Sequence, residues 1–131
     1  MSDRAALDQL FANYAWAMDS KEFEVFDEVF STGASFVVSI AGTVAAGPFE
    51  GRDATVDFIR TTTEGQGDQR RHVITNVRQV GSDKATATLT LIVVDNGELT
   101  VKSCGVYRCD LVEENGALRF DAMDLALDLG F

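Results

Sequence analysis

A chain of 131 residues, 46% hydrophobic and 24% charged, is one domain's worth of protein, long enough to bury a core without staples and unlike a disordered segment. Its 21 acidic residues outnumber 11 basic ones, a formal charge of -10, and no basic cluster larger than Arg70-Arg71 stands out. That balance argues against a phosphate-backbone partner and disfavours anionic membranes, so neither nucleic acid nor membrane is expected.

From the amino terminus, Ser2 or Asp3 can cap a helix that runs to about Met18. Leu7, Leu10, Phe11, Tyr14 and Met18 recur at three and four as an apolar stripe, while Ala12 and Trp16 fall on the other side. Asp19-Ser20 breaks the pattern and is expected to cap a second helix whose buried face is Phe23, Phe26, Val29 and Phe30. Ser31-Thr32-Gly33 reads as the turn that ends it, and 34–40 as a strand rich in β-branched and aromatic residues. The segment AGTVAAGPFEG reads as loop with a short strand around Val44, and 52–63 as a helix with Val56, Phe58 and Ile59 apolar. The polar run TTTEGQGDQ is the expected mobile connection.

Residues 70–80 alternate as a strand, with His72, Ile74, Asn76 and Arg78 on one face and Val73, Thr75 and Val77 on the other. Strands over 84–94, 99–112 and 118–129 follow, joined at Asp95-Asn96-Gly97, a strong hairpin signal, and at 113–116. Cys104 and Cys109 lie an odd number of residues apart in one strand, on opposite faces, which argues against a bridge between them. With no other thiols there is no disulfide framework. MSDRAALDQL has neither a basic start nor an apolar run, and no stretch reaches the about 18 apolar residues of a membrane span, so a cytoplasmic location is expected.

Helices first and a meander last make an α+β architecture with helices against one sheet face. A twisted sheet wrapped around a long helix can leave a cone-shaped cavity. The single histidine, His72, opens one strand, and Asp19 lies where the first helix gives out. Histidine, with an ordinary pKa of about 6.5, takes a proton at neutral pH when a second group holds its tautomer. A carboxylate on Nδ1 does that and leaves Nε2 free. Read alone, His72 is as readily a surface or structural residue and Asp19 a helix cap. One histidine without ligand spacing offers no metal site, and Gly42, Gly47 and Gly51 lack the setting of a phosphate loop, so no cofactor is expected.

Tyr14, Ala15, Asp19, the run from Phe23 to Phe30, Gly51 opening a helix, His72 with Asn76, and Gly105 with Tyr107 together resemble the SnoaL-like proteins. These belong to the superfamily that shares the nuclear-transport-factor-2 and ketosteroid-isomerase fold. The resemblance covers nearly the whole chain and implies a single domain over 1–131. It implies a cone-shaped α+β barrel, a strongly curved mixed sheet packed around N-terminal helices, and a homodimer or homotrimer joined through the sheet. In relatives that look like scytalone dehydratase or the lindane dehydrochlorinase, an aspartate ending the first helix orients a histidine that acts as base, and Asp19 and His72 match those positions.

The resemblance thus implies a cofactor-independent acid/base enzyme, a lyase, isomerase or cyclase, acting on a small hydrophobic, cyclic or aromatic molecule. Tyr14, Trp16, Asn76, Phe36, Phe58 and Tyr107 are the candidate substrate contacts. Met18 stands where scytalone dehydratase has a tyrosine, and Phe36 lies in the early strand region where it uses another, so that substrate is not carried over. The alternative is a protein of the same fold that binds a hydrophobic ligand or a partner without turnover.

Overall fold

The computed structural model describes residues 3–131. In chain order it comprises α1 (Arg4–Ser20), a single 3-10 segment (Phe23–Glu28), β1 (Phe30–Ile40), β2 (Thr43–Glu50), α2 (Arg52–Glu64), β3 (Gln69–Val80), β4 (Lys84–Asp95), β5 (Glu98–Glu114) and β6 (Ala117–Leu127). The strands form one sheet in the order β2-β1-β6-β5-β4-β3, in which β1 runs parallel to β6 and every other pairing is antiparallel. The order is α+β, as expected, with a mixed sheet and the first helix at the amino terminus.

Local chemistry accounts for most of these elements. The Asp3 carboxylate accepts from the Ala5 N–H at 3.0 Å and starts α1, while Ser2 lies outside the described residues. Leu7, Leu10, Phe11, Tyr14 and Ala17 form the helix's buried stripe. Lys21 ends it in the left-handed region at φ 56° and donates its N–H to the Ala17 carbonyl. Ala41-Gly42, Asn96-Gly97 and Asn115-Gly116 each hold two successive positive φ angles between paired strands, the turn whose twist matches the hairpin it closes.

Three expectations change. The second helix is only the 3-10 segment, and Asp19-Ser20 does not cap it, because the Asp19 carboxylate turns toward β3 instead. Ser31-Thr32-Gly33 is strand, not turn: Phe30 pairs with Phe120, and Ser31 donates its hydroxyl to Asp121 at 2.7 Å. The short strand expected around Val44 extends through most of the expected loop as β2, an edge strand paired along β1 from Thr43 to Glu50. An edge strand has one partner and exposed small residues, so alternation does not announce it.

The expected strongly curved, cone-shaped barrel is also corrected. The strand order is linear, β2 and β3 are its two edges, and they never pair, so the sheet stays open. Closure requires the edge strands to hydrogen-bond to each other. Here α1 packs against β3 and β6, and α2 against β1 and β2, so helices rather than a strand seam cover the inner face.

The space between α1 and the sheet is filled by rings. Tyr14 stands edge-on to Phe26, Phe30, Tyr107 and Phe120 at centroid distances of 5.5 to 6.3 Å, and Phe11 meets Phe120 at 4.9 Å. Each such buried ring contributes about 1.5–3 kcal/mol by area alone. That packing is what confines open volume on the helix side to the margins of the core. Among the described residues no helix is long and apolar enough to cross a membrane.

Candidate active site

The last turn of α1 meets the start of β3. Asp19 sits at a helix carboxyl end, where the helix dipole disfavours a carboxylate, so it needs donors. His72 supplies them: its backbone N–H reaches Asp19 Oδ1 at 3.0 Å and Oδ2 at 3.1 Å, and its Nδ1 lies 2.6 Å from Oδ1. The two side chains are 14% and 10% exposed. An ionised carboxylate only accepts, so Nδ1 carries the proton and Nε2 is the accepting nitrogen.

Arg70, His72 and Ile74 share the inward face of β3, and His72 pairs with Leu91 of β4. The alternation then breaks. One extra residue enters β3 between Thr75 and Arg78, with Asn76 at φ 53°, and Val77 and Gln79 become the half-buried residues. Asn76 is therefore exposed and does not share the face of His72, as strict alternation had required.

Two hollows meet at His72. An apolar chamber of about 60 Å³ is walled by Phe58, Ile59, Leu89, Leu91, Leu127 and Phe131. A polar cleft of about 400 Å³ opens beside it, bordered by Asp19, Lys21, Asp68, Arg70 and Arg71. Met18, Thr63, Gln66, Arg70 and His72 belong to both walls. A groove of about 390 Å³ lies on the opposite sheet face among Val37, Arg78, Thr86, Arg108 and Asp124, remote from the Asp19–His72 pair.

The candidate contacts distribute unevenly around this pair. Phe58 lines the chamber. Phe36 is buried behind it, ring to ring at 6.1 Å. Tyr14 and Tyr107 are fully buried, with the Tyr107 hydroxyl donating to that of Tyr14 at 3.4 Å and the Tyr14 ring edge-on to His72 at 6.4 Å. Burial pushes both phenols up, so they stay neutral hydroxyls behind the imidazole. Trp16 is on the outer side of α1, 59% exposed, and donates Nε1–H to Glu22 at 3.0 Å. The structure brings Asp19, His72 and Phe58 together, keeps Tyr14, Tyr107 and Phe36 one layer behind, and leaves Trp16 and Asn76 outside.

Arg70, Gln66 and Phe131 border the site without having been singled out from the sequence. For Arg70 the signal was present, since it lies two residues before His72 on the same strand face. The two cysteines face opposite ways: Cys109 is buried and its thiol is pushed up by burial, and Cys104 is exposed with its thiol raised by a hydrogen bond to Asp128 at 3.3 Å. Neither is poised as a thiolate. Among the described residues no three His, Cys, Asp or Glu side chains group as metal ligands.

An open α+β sheet whose first helix delivers a carboxylate to a strand-borne imidazole, both largely buried, defines a fold of the nuclear-transport-factor-2 type with acid/base potential. The chain belongs to the SnoaL-like domain family, whose model matches residues 1–124. A protein of Catenulispora acidiphila solved in complex with S-DNPA is 24% identical, with 95% of this chain and 92% of that one covered at a TM-score of 0.77. Aln2 from a Streptomyces species is 24% identical over 93% and 88% of the two chains, TM-score 0.74. A protein provisionally assigned as the beta subunit of an aromatic-ring-hydroxylating dioxygenase from Novosphingobium aromaticivorans is 20% identical over 97% and 90%, TM-score 0.74. These likenesses are of fold. No curated protein matches the chain significantly.

Proposed function

We propose that the protein is a cofactor-independent acid/base enzyme of lyase, isomerase or cyclase type. His72 removes a proton from a small hydrophobic, cyclic or aromatic molecule, and Asp19 orients it. The observation that carries this reading is the 2.6 Å contact between Asp19 Oδ1 and His72 Nδ1 in a wall common to an apolar chamber and a polar cleft. With Nδ1–H held by the carboxylate, Nε2 accepts a proton from a carbon beside an electron-withdrawing group. The imidazolium that forms is stabilised by Asp19, then returns the proton at another position or to a departing group. A base so placed is worth about 10²–10⁴ in rate. The apolar chamber suits the hydrophobic part of the substrate, and the S-DNPA complex of the Catenulispora protein supports a ligand in this fold. The same reading takes residues 1–131 as one domain, assembled as a homodimer or homotrimer through the sheet, in the cytoplasm.

One observation favours a second reading, a ligand-holding or partner-binding protein without turnover. The chamber is only about 60 Å³, because aromatic side chains fill the rest of the interior. A pH–rate profile over a panel of cyclic ketones, lactones and hydroxylated aromatics, repeated with His72→Ala and Asp19→Asn, separates the two. Binding by all three proteins with turnover by the parent alone supports catalysis. Turnover by His72→Ala equal to the parent's, or binding with no turnover by any protein, refutes the base assignment.

A further inference from the structure

Arg70 borders both hollows and is built into their common wall. Its side chain is 12% exposed, and Asp68 pins one edge of the guanidinium, Nε to Oδ1 at 2.8 Å and Nη2 to Oδ2 at 3.2 Å. That two-point fork fixes the plane of the group. Nη1 takes no protein acceptor among the described residues and is not a buried orphan, so its N–H groups are left for whatever occupies the hollow. Arg70 and His72 stand two apart on one strand face, about 7 Å from Cα to Cα.

The charge around this point runs against the rest of the molecule. On a chain of formal charge -10, the cleft gathers Lys21, Arg70 and Arg71 against Asp19 and Asp68. Among the described residues Lys21 Nζ reaches the Gln66 carbonyl, at 3.3 Å, and Arg71 Nη1 the Arg70 carbonyl, at 3.3 Å, and neither pairs with a carboxylate. Lys102 is near enough to add to the pull that Arg70 exerts on Asp68. A cleft of excess positive charge on an acidic protein concentrates anions at its mouth.

We propose that the ligand of this site is a carboxylic acid, whose anionic group lies on Nη1 of Arg70 in the cleft while its apolar body enters the chamber beside His72. This deepens the acid/base reading by naming the substrate class, and it stands on binding alone. Arg70 is the anchor that sets which carbon of the acid lies under His72.

The test is an NMR titration of the full chain with isobutyrate and benzoate, each against its neutral amide. The parent binds at least one acid roughly tenfold or more tightly than its amide, as a charge-assisted contact requires. In Arg70→Gln the acid-over-amide preference falls to about twofold or less. Arg70→Lys, which keeps the charge facing Asp68 and so guards against a folding defect, loses most of that preference. Arg78→Gln, the same loss of charge on the opposite sheet face, keeps it. Equal affinity for acid and amide in the parent, no binding of either acid, a preference that survives Arg70→Gln in a folded protein, or its loss in Arg78→Gln overturns the anchor. Retained preference with no turnover on any substrate overturns only the acid/base reading.

Discussion

Asp19→Asn changes the chemistry of one atom at nearly constant volume. In the parent, Oδ1 takes both the His72 N–H at 3.0 Å and Nδ1 at 2.6 Å, and Oδ2 takes the same N–H at 3.1 Å. An amide has one accepting atom. If that atom stays at Oδ1, the amide NH₂ confronts the His72 N–H, donor against donor. If the amide turns over, it donates to Nδ1, and the imidazole moves its proton to Nε2, where it can no longer act as a base. Either way a charge-assisted hydrogen bond is lost from a largely buried pair, and urea unfolding should show a loss of about 1.5–3 kcal/mol. With His72 as the proposed base, a proton moved to Nε2 should lower turnover roughly 10²–10⁴-fold, the whole worth of the base. The chain has one histidine, so ¹⁵N NMR reads its tautomer directly and without a substrate. The expected result is Nδ1–H in the parent and a shift toward Nε2–H in the variant. A variant that keeps Nδ1–H and unfolds within about 0.5 kcal/mol of the parent would refute the reasoning.

Three further outcomes follow from other parts of the structure. A Cβ added at Gly105 collides with the Ala126 carbonyl and lies 2.9 Å from Leu127 Cα, both backbone of the paired strand. Gly105→Ala should therefore cost about 1–3 kcal/mol in urea unfolding, and an unchanged midpoint would mean that β5 and β6 do not approach so closely. Asn76→Val puts a β-branched residue at φ 53° and should cost about 1–2 kcal/mol, whereas Asn76→Gly should be near neutral; equal stabilities would deny the bulge. Arg70 holds the Asp68 carboxyl below its ordinary value, so the stability this pair contributes is full above the unfolded aspartate's pKa and is lost as pH falls through the depressed folded one. Stability measured by unfolding should therefore decline below about pH 4, and Asp68→Asn should flatten that limb; identical slopes for the two proteins would show that the pair is not linked to folding.

The first helix, the three strands after His72 and their tight turns were legible because each rests on short-range chemistry. A three-and-four apolar stripe gives α1 its buried face, and Asn-Gly pairs supply the positive φ that two-residue hairpins need. The Asp19–His72 pairing was legible only through family resemblance, since 53 residues separate the partners and no local rule connects them. Strand β2 was legible only as a short strand around Val44, and its extent to Glu50 was not, because an edge strand with one exposed side need not alternate.

What the tertiary structure alone decided is which side chains meet open volume. A one-residue bulge turned Asn76 out to solvent, and no pattern of apolar residues reveals such an insertion before its partner strand is in register. The ring cluster around Tyr14 closed most of the interior and left a small chamber, a result of how volumes interlock rather than of composition. The side-chain order of β3 put Arg70 beside His72, but the fork of Asp68 that holds one edge of its guanidinium, and leaves the other for a ligand, exists only once the chain has folded around it. Periodicity and turn chemistry act between near neighbours and can be read from a string. Register, packing and shared walls depend on distant segments arriving together.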